Sequence, residues 1–327
     1  MRQLAKLWLL AAVVVIVAIA CHSPTPLGEP VPSSPTAAIE CRVMLHDGGE
    51  TELCGQPENV VALSPPLLDI LLSLGVQPAG YAEVDLLNSK VFDNPSQQIP
   101  YLGDRITTQP VNLGDRHSPS IETLLQLKPD LVLGETFYVK NNYPTLSRIA
   151  PTAFFDTGAD TGWQPALTAI AQGLNREAQA QQVIAAHNQQ VEAVKNQLAP
   201  LIAGQSIIVL GWQGIVNQSF VFAGDFTTEL LEDLGFQVIL GPSDRPGTSM
   251  EAVAQIDADH ILVMPSGENT IENAQRQWQN DPILQALPAV QAGQLYFMDY
   301  QLTRIRGPIA AEIFLNQFAA LVTHQQS

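Results

Sequence analysis

The sequence has few positively charged residues, and this shortage narrows the partners that the chain can bind. Its 327 residues include 15 lysines and arginines against 32 acidic residues, a formal net charge of −17. Proteins bind nucleic acids and anionic lipid surfaces through patches of basic residues, so neither is an expected partner of this chain. Charged residues make up only 14% of the chain and hydrophobic residues 46%, which is typical of a well-packed globular protein.

The sequence also lacks the short motifs of common enzymes and metal sites. It contains no P-loop, no G-x-G-x-x-G and no G-x-S-x-G, which argues against a nucleotide-dependent enzyme or a serine hydrolase. It has no C-x-x-C or H-E-x-x-H, and no two of its six histidines have metal-ligand spacing on a helix. We therefore expect no catalytic residues, no cofactor and no metal bound directly by side chains.

No hydrophobic run is long enough to span a membrane, but a shorter one opens the chain. Leu7–Ala20 is an unbroken apolar run of 14 residues preceded by Arg2 and Lys6, whereas a transmembrane helix needs about 20. This pattern predicts a signal peptide over residues 1–20, with an uncleaved membrane anchor as the alternative. The run ends in Ala18-Ile19-Ala20-Cys21, which resembles the lipobox of bacterial lipoproteins and implies a lipid on Cys21.

The next segment is predicted to be a tether. Residues 21–38 contain five prolines with serines and threonines between them, and too few apolar side chains to form a core. Together with the lipid, this predicts an exported protein anchored at the outer face of the cytoplasmic membrane, in the periplasm or at the cell surface.

Cysteine is scarce, with three residues in all. If Cys21 carries lipid, Cys41 and Cys54 remain as a pair. Asp47-Gly48 is a strong signal for a two-residue hairpin turn. Counting outward from that turn places Cys41 opposite Cys54 at a non-hydrogen-bonded pair, where Cα atoms lie about 4.5 Å apart. We therefore predict a disulfide, with two free thiols as the alternative.

The body alternates short apolar runs with helical patterns, which predicts an α/β fold with mostly parallel sheets. The predicted boundaries are an N-terminal lobe over 39–175, a linking helix over 176–199 and a C-terminal lobe over 200–327. The helix, Glu177–Leu198, contains neither glycine nor proline and carries a regular apolar stripe. Further predicted helices include Ser120–Leu127, Thr227–Leu234, Ile271–Leu287 and Pro308–Val322.

An internal repeat relates the two halves. Residues 120–133 match residues 249–262 at a constant offset of 129 positions. Each copy begins with a serine suited to cap a helix and a glutamate in the first turn, Glu122 or Glu251, and continues through an aspartate into a strand. The repeat predicts two lobes of similar construction, unless a generic helix–strand unit has matched by chance.

Several segments together resemble the periplasmic binding proteins for ferric siderophores, cobalamin and haem. These are VVALS (60–64), LGVQPAG (74–80), SIETL (120–124), LKPDLVLG (127–134), RIAPT (148–152) and RGPIAA (306–311). The resemblance implies the class III arrangement, two Rossmann-like lobes joined by a single long helix, with the ligand between them. It also implies that Glu122 and Glu251, one per lobe, dock on the permease of an ABC importer.

Ligands of open α/β sheets bind beyond the carboxyl ends of the strands, and that rule selects the candidate residues. The predicted ligand-binding residues are Arg116, Tyr138, Trp212, Tyr300, Arg304 and Arg306. The three arginines adjoin helix starts, where added positive charge is unfavourable unless an anion joins it. Arg116 also resembles the arginine that hydroxamate-siderophore binders direct at iron-coordinating oxygens.

The resulting prediction is a monomeric, lipid-anchored substrate-binding protein, not an enzyme. It would deliver a ferric siderophore to the permease and ATPase subunits of an ABC importer. A ferric siderophore is favoured because the arginines suit an anionic, oxygen-rich chelate. Cobalamin and haem remain alternative ligands, and Tyr138 keeps haem open because haem is often bound by an axial histidine or tyrosine. A chelatase-like metalloenzyme is the alternative from another class.

Overall fold

The computed structural model describes residues 40–85, 90–158, 162–202, 204–213, 218–240, 253, 255–267 and 269–324. The described residues from Cys41 onwards form one compact unit. The predicted signal peptide, Cys21 and the tether lie outside the described residues. No helix within the described part of the chain has both the length and the apolar character needed to cross a membrane.

The body opens with the predicted hairpin. Strands β1 (Cys41–His46) and β2 (Gly49–Cys54) are antiparallel, with His46 opposite Gly49 and Cys41 opposite Cys54. The two cysteines form a disulfide with a Cα–Cα distance of 4.0 Å, so the predicted bond and register are both confirmed. Buried Met44 and Leu53 anchor the hairpin, because both belong to the main hydrophobic core.

The first sheet has five parallel strands in the order β7-β4-β3-β8-β9. Its neighbour along the chain is the small antiparallel pair β5-β6. The strands of this half are β3 (Val60–Ala62), β4 (Gly80–Tyr81), β5 (Val84–Asp85), β6 (Lys90–Val91), β7 (Val111–Asn112), β8 (Leu131–Glu135) and β9 (Thr152–Phe155). Continuous burial of β3, β8 and β9 is expected of parallel strands covered by helices on both faces.

The second sheet repeats the central order of the first. Strands β12, β10, β13 and β14 are parallel neighbours in that order, and β11 adds an antiparallel edge to β10. The strands are β10 (Ser206–Gln213), β11 (Gln218–Val221), β12 (Gln237–Val238), β13 (His260–Pro265) and β14 (Leu295–Phe297). Since β4-β3-β8-β9 and β12-β10-β13-β14 correspond, the two halves have the similar construction that the repeat predicted.

Two aspartates of the repeat have the same role in both sheets. Asp130 accepts a hydrogen bond of 2.9 Å from the N–H of Asn59, just before β3. Asp259, which is 129 residues later, accepts one of 2.7 Å from the N–H of Ser206, the first residue of β10. Each carboxylate therefore ties the start of one central strand to the start of its parallel neighbour.

Helices connect and cover the strands, and a 3-10 turn occupies Gly103–Arg105. The described helices are α1 (Pro65–Ser73), α2 (Pro95–Gln98), α3 (Ile121–Leu127), α4 (Thr136–Val139), α5 (Tyr143–Leu146), α6 (Gln164–Leu174), α7 (Glu177–Ile202), α8 (Phe226–Leu234), α9 (Ile271–Asn280), α10 (Pro282–Gln285), α11 (Pro288–Gln291), α12 (Gln301–Ile305) and α13 (Pro308–His324). The predicted linking helix is observed as α7, 26 residues long, and so continues past Leu198.

One predicted helix is wrong in its length. The helix expected over Ile271–Leu287 ends at Asn280, and a new short helix starts at Pro282. Proline has no N–H to continue the first helix, and its ring clashes with the preceding turn. The Asp281 carboxylate instead accepts hydrogen bonds from the N–H groups of Ile283 and Leu284 and caps the second helix.

The C-terminal helix α13 packs against both α7 and α1, so it joins elements of the two halves. The main hydrophobic core accordingly includes Leu67 and Leu71 of α1 together with Phe314 and Phe318 of α13. The boundaries predicted for the lobes, at 175/176 and 199/200, stay a prediction, because residues 41–327 form a single compact unit.

Candidate functional site

The candidate site begins where β8 ends. Glu135 is the last residue of β8 and leaves the carboxyl end of the sheet with its side chain buried. The Nη2 of Arg306 donates a short hydrogen bond to Glu135 Oε1, and the hydroxyl of Thr157 donates another of 3.3 Å to the same oxygen. Arg306 follows α12, beyond the second sheet, so this ion pair links the two halves of the molecule.

Arg116 approaches the same carboxylate from the first half. Its Nη1 lies 3.9 Å from Glu135 Oε2, and the two side chains are 14% and 4% exposed. The guanidinium carbon of Arg116 also lies 4.5 Å from the centroid of the Tyr138 ring, a cation–π distance. Arg116 and Arg306, both predicted from the sequence, therefore meet at Glu135, and the predicted Tyr138 packs against Arg116.

A second ion pair also links the two halves, and its arginine, Arg304, lies two residues before Arg306. Arg304 Nη2 lies 3.1 Å from Glu83 Oε1, and the two side chains are only 9% and 7% exposed. The other guanidinium nitrogen, Nη1, donates a 2.8 Å hydrogen bond to Gln301 Oε1. Because both partners of the Arg304–Glu83 pair are almost fully removed from water, their attraction is screened little.

Some polar atoms of these ion-paired side chains have no hydrogen-bond partner. Three buried atoms have no hydrogen-bond partner among the described residues: Nε and Nη1 of Arg116 and Oε2 of Glu135. The hydroxyls of Ser64 and Ser266, which follow β3 and β13, are also buried and unpartnered. Such orphaned groups are uncommon in folded proteins and often mark a place that a ligand or water satisfies.

Further contacts bring the two halves together around the start of α13. The hydroxyl of Tyr101 donates to Asp299 Oδ2 at 2.9 Å. The carboxylate of Asp69 on α1 accepts hydrogen bonds of 2.9 Å from the N–H groups of Ile309 and Ala310 and so caps α13. Burial raises the pKa of Asp69 to about 7, although those two N–H groups act in the opposite direction.

Tyr300 and Trp212 have different surroundings. Tyr300 is half-buried against Phe220 and Phe222, with ring centroids 6.5 and 6.1 Å away. It borders a depression of about 320 Å³ next to Ser266 and Asn269.

Trp212 lies in the core of the second half and is only 3% exposed. Its indole Nε1 donates to Gln277 at 2.7 Å and its ring packs on Trp278. The structure brings Trp212 next to none of the three arginines through any described contact, and its role in ligand binding stays a prediction.

The docking role of Glu122 and Glu251 stays a prediction. Glu122 is exposed in the first turn of α3, whose N-terminus Ser120 caps through a 3.2 Å hydrogen bond from the N–H of Thr123. Glu251 lies outside the described residues.

Of the two glutamates in these ion pairs, sequence reasoning missed Glu83. Glu83 follows β4 by two residues, so the strand-end rule that selected the arginines could also have found it. Asp69 and Thr157 left no comparable signal, because their partners lie 240 and 149 residues away in the chain.

A site for directly bound metal is not evident in the described part of the chain. There, one group of three potential donors lies close together, Cys41, Glu52 and Cys54. Its two sulfurs are joined in the disulfide, so neither is available as a thiolate ligand.

Comparisons with known proteins agree with this architecture. Residues 60–302 match the family described as periplasmic binding protein. The Fe(3+)-citrate-binding protein YfmC of Bacillus subtilis is 29% identical over 86% of this chain and 85% of its own. The probable siderophore-binding lipoprotein YfiY of the same organism is 26% identical over 92% of each chain.

A solved structure shows the same fold. SirA of Staphylococcus aureus, in complex with staphyloferrin B, has a TM-score of 0.70 at 23% identity, covering 86% of this chain and 98% of its own. The predicted two-lobed α/β fold of class III is confirmed by this likeness and by the two sheets of mostly parallel strands that α7 joins. Since the family match covers most of the chain, the protein belongs to the periplasmic binding protein family.

Proposed function

We propose that this protein is an extracytoplasmic, lipid-anchored substrate-binding protein that delivers a ferric siderophore to an ABC importer. The observation that supports it most is that Arg116 and Arg306 meet at one buried carboxylate, Glu135, while Arg304, two residues before Arg306, forms a second buried ion pair between the two halves. Guanidinium groups recognise carboxylates and other anionic oxygens with directed hydrogen bonds. Relatives that bind ferric citrate and siderophores support iron chelates as the ligand class.

In this proposal the arginines bind oxygens of the chelate, and Tyr138 and Tyr300 present ring faces to it. The protein acts as a carrier for the permease and ATPase subunits, as a monomer without a cofactor and without turning the ligand over. Recovery of an intact chelate after prolonged incubation with the protein is the expected result. Chemical change of the ligand would favour a metalloenzyme instead.

The ligand class is tested by fluorescence titration. Ferric hydroxamates, ferric citrate, haem and cobalamin are added in turn to the purified mature protein, and quenching of its tryptophans is followed. We expect saturable quenching with a ferric siderophore. Quenching by haem or cobalamin alone would retain the binding-protein function and replace the ligand.

The arginines are tested by substitution. Charge-assisted hydrogen bonds contribute about 1.5–3 kcal/mol each, so Arg116→Ala or Arg304→Ala should weaken binding by roughly 10- to 150-fold. Arg→Lys should also reduce affinity, because an ammonium group cannot reproduce the guanidinium fork. Exposed Arg176 provides the control variant, Arg176→Ala. Equal affinity of all three alanine variants would place the site elsewhere.

Anchoring has its own test. Cys21 should carry the lipid, since it follows small residues at the end of a short apolar run. Cys21→Ala should release the protein from membranes into the soluble fraction. Unchanged partitioning into detergent, together with an intact Met1, would contradict lipidation at this residue.

A further inference from the structure

The ion-paired side chains described above, which we call the cluster, include glutamates as well as arginines. The number of acids relative to arginines affects which ligand charge the site favours. Three guanidinium groups, on Arg116, Arg304 and Arg306, lie within ion-pair distance of two carboxylates, on Glu83 and Glu135. These five side chains have a formal balance of one positive charge, and two further carboxylates also interact electrostatically with the arginines, Asp115 with Arg116 and Asp225 with Arg306. The arginines are therefore largely neutralised by the protein itself before any ligand binds.

Burial makes this balance matter for a charged ligand. The side chains of both glutamates are at most 7% exposed, so water screens their fields poorly. A chelate that reaches the guanidinium groups of Arg116 and Arg304 also comes close to the carboxylates paired with them. Each negative charge on the ligand then gains from the arginines and loses to the glutamates, so a higher ligand charge brings little net attraction.

The buried atoms without a hydrogen-bond partner indicate which hydrogen bonds a ligand could supply. Arg116 offers two buried donors, Nε and Nη1, whereas Glu135 offers one buried acceptor, Oε2. A ligand that carries oxygen acceptors next to an amide N–H or hydroxyl donor would satisfy both residues. A ligand with negatively charged oxygens alone would satisfy Arg116 and be repelled by Glu135.

We propose that Glu83 and Glu135 are specificity-determining residues that make the site selective for ferric chelates of low net charge. Tris-hydroxamates whose ferric complexes are neutral, and whose backbones carry additional amide N–H groups, fit this requirement. Ferric tris-catecholates, which carry three negative charges, do not. The inference rests on the proposed function, because it assumes that an iron chelate occupies this cluster.

The experiment compares two probes on the purified mature protein, a neutral ferric tris-hydroxamate and a ferric tris-catecholate of charge −3. Fluorescence titration gives both dissociation constants for the wild type and for the variants Glu83→Gln and Glu135→Gln. Glutamine keeps the size and the hydrogen-bonding oxygen of each side chain but removes its charge. Glu312→Gln is the matched control, since Glu312 also pairs with an arginine of the other half, Arg105, but on the exposed surface.

We expect the wild type to bind the neutral chelate at least about 10-fold more tightly. Each glutamine variant should tighten binding of the trianionic chelate by roughly 10-fold or more and change binding of the neutral one by less than about 3-fold, since only the former interacts with the removed charge. The control should change neither constant. Thermal melting checks that each variant is folded, and the preference of the wild type needs no variant at all.

Two other outcomes separate this inference from the proposed function. If the wild type binds the trianionic chelate more tightly, or if neither glutamine variant changes the ratio of the two constants, the charge selectivity is overturned and the carrier function stands. If the wild type binds no ferric chelate of any charge, the proposed function fails and the inference fails with it.

Discussion

A single buried carboxylate, that of Asp69, caps the C-terminal helix and attaches it to α1. Asp69 receives the N–H groups of Ile309 and Ala310, which would otherwise be unsatisfied at the start of α13. The side chain is fully buried and also closely approaches Gly307, where a Cβ would lie 2.4 Å from the carboxyl carbon. A residue with a side chain at position 307 would therefore displace this cap.

Asp69 should make stability depend on pH. Its folded pKa of about 7 lies above the unfolded value of 3.8, because burial disfavours the charged form. Between about pH 4 and pH 7 the folded protein keeps this proton while the unfolded chain releases it, so the contribution of Asp69 to stability falls as pH rises. The unfolding free energy of the wild type, relative to Asp69→Asn, should decline by up to about 1.4 kcal/mol per pH unit in that window.

Urea unfolding at several pH values measures this difference. Asp104→Asn, at an exposed acid on the 3-10 turn, controls for the removal of one carboxyl group. A difference between wild type and Asp69→Asn that stays constant from pH 4 to pH 7 would show that the carboxyl group titrates normally.

At the scale of elements, the hairpin is closed by a disulfide at one end and is hydrogen-bonded to the first half near its turn. The Cys41–Cys54 disulfide closes the open end. Near the turn, the N–H of Asp47 donates to the carbonyl of Phe154 at 3.0 Å, and the hydroxyl of Thr51 donates to the carbonyl of Thr152 at 2.7 Å. Two strands alone are marginally stable in water, so β9 and the disulfide supply what the hairpin lacks.

Loss of the disulfide should therefore destabilise the protein. Closing a loop of this length is worth about 3 kcal/mol in the chain-entropy model, so Cys41→Ser with Cys54→Ser should lower the unfolding free energy by roughly that amount. The wild type, exported by its native route and kept unreduced, should show a mass lower by two hydrogens than its reduced form. Two thiols that react with an alkylating reagent in that sample would contradict the bond.

At the scale of the whole molecule, the two halves are joined by more than the single chain crossing through α7. The long C-terminal helix contacts α1, α7 and α12, and buried ion pairs link Glu83 and Glu135 to the segment before it. A ligand that binds Arg304 and Arg306 would therefore act on both halves at once.

In our proposal, docking on an importer requires the complete molecule, because it uses one acid on each half. Glu122→Ala combined with Glu251→Ala should abolish uptake of the ligand by cells and leave the dissociation constant in solution unchanged, since these acids face the transporter in our proposal. Transport assays and fluorescence titrations on the same variant measure the two quantities.

A double alanine variant at exposed Glu192 and Glu232 controls for the loss of two negative charges. If ligand binding were lost while association with the transporter remained normal, the two acids would belong to the binding site instead.

The parts of this protein that could be predicted from sequence are those governed by local rules. Hairpin register follows from the turn at Asp47-Gly48 and from strict alternation along two strands, so the partner of Cys41 could be counted. The existence and the start of α7 follow from a long stretch without glycine or proline, although the helix continues through Pro200 to Ile202, past its predicted end. The two lobes follow from alternating strands and helices together with a repeat. Each of these signals involves residues that are near one another in the chain or recur at a fixed interval.

The partners of the arginines, in contrast, were decided by tertiary structure alone. Arg304 meets Glu83 across 221 residues and Arg306 meets Glu135 across 171, distances over which no sequence period operates. The strand-end rule could place the arginines on the correct side of a sheet, but it could not show that the protein itself supplies most of their counter-charge. Whether a buried charge is free or paired depends on how the two halves are packed against each other, and only the tertiary structure determines that.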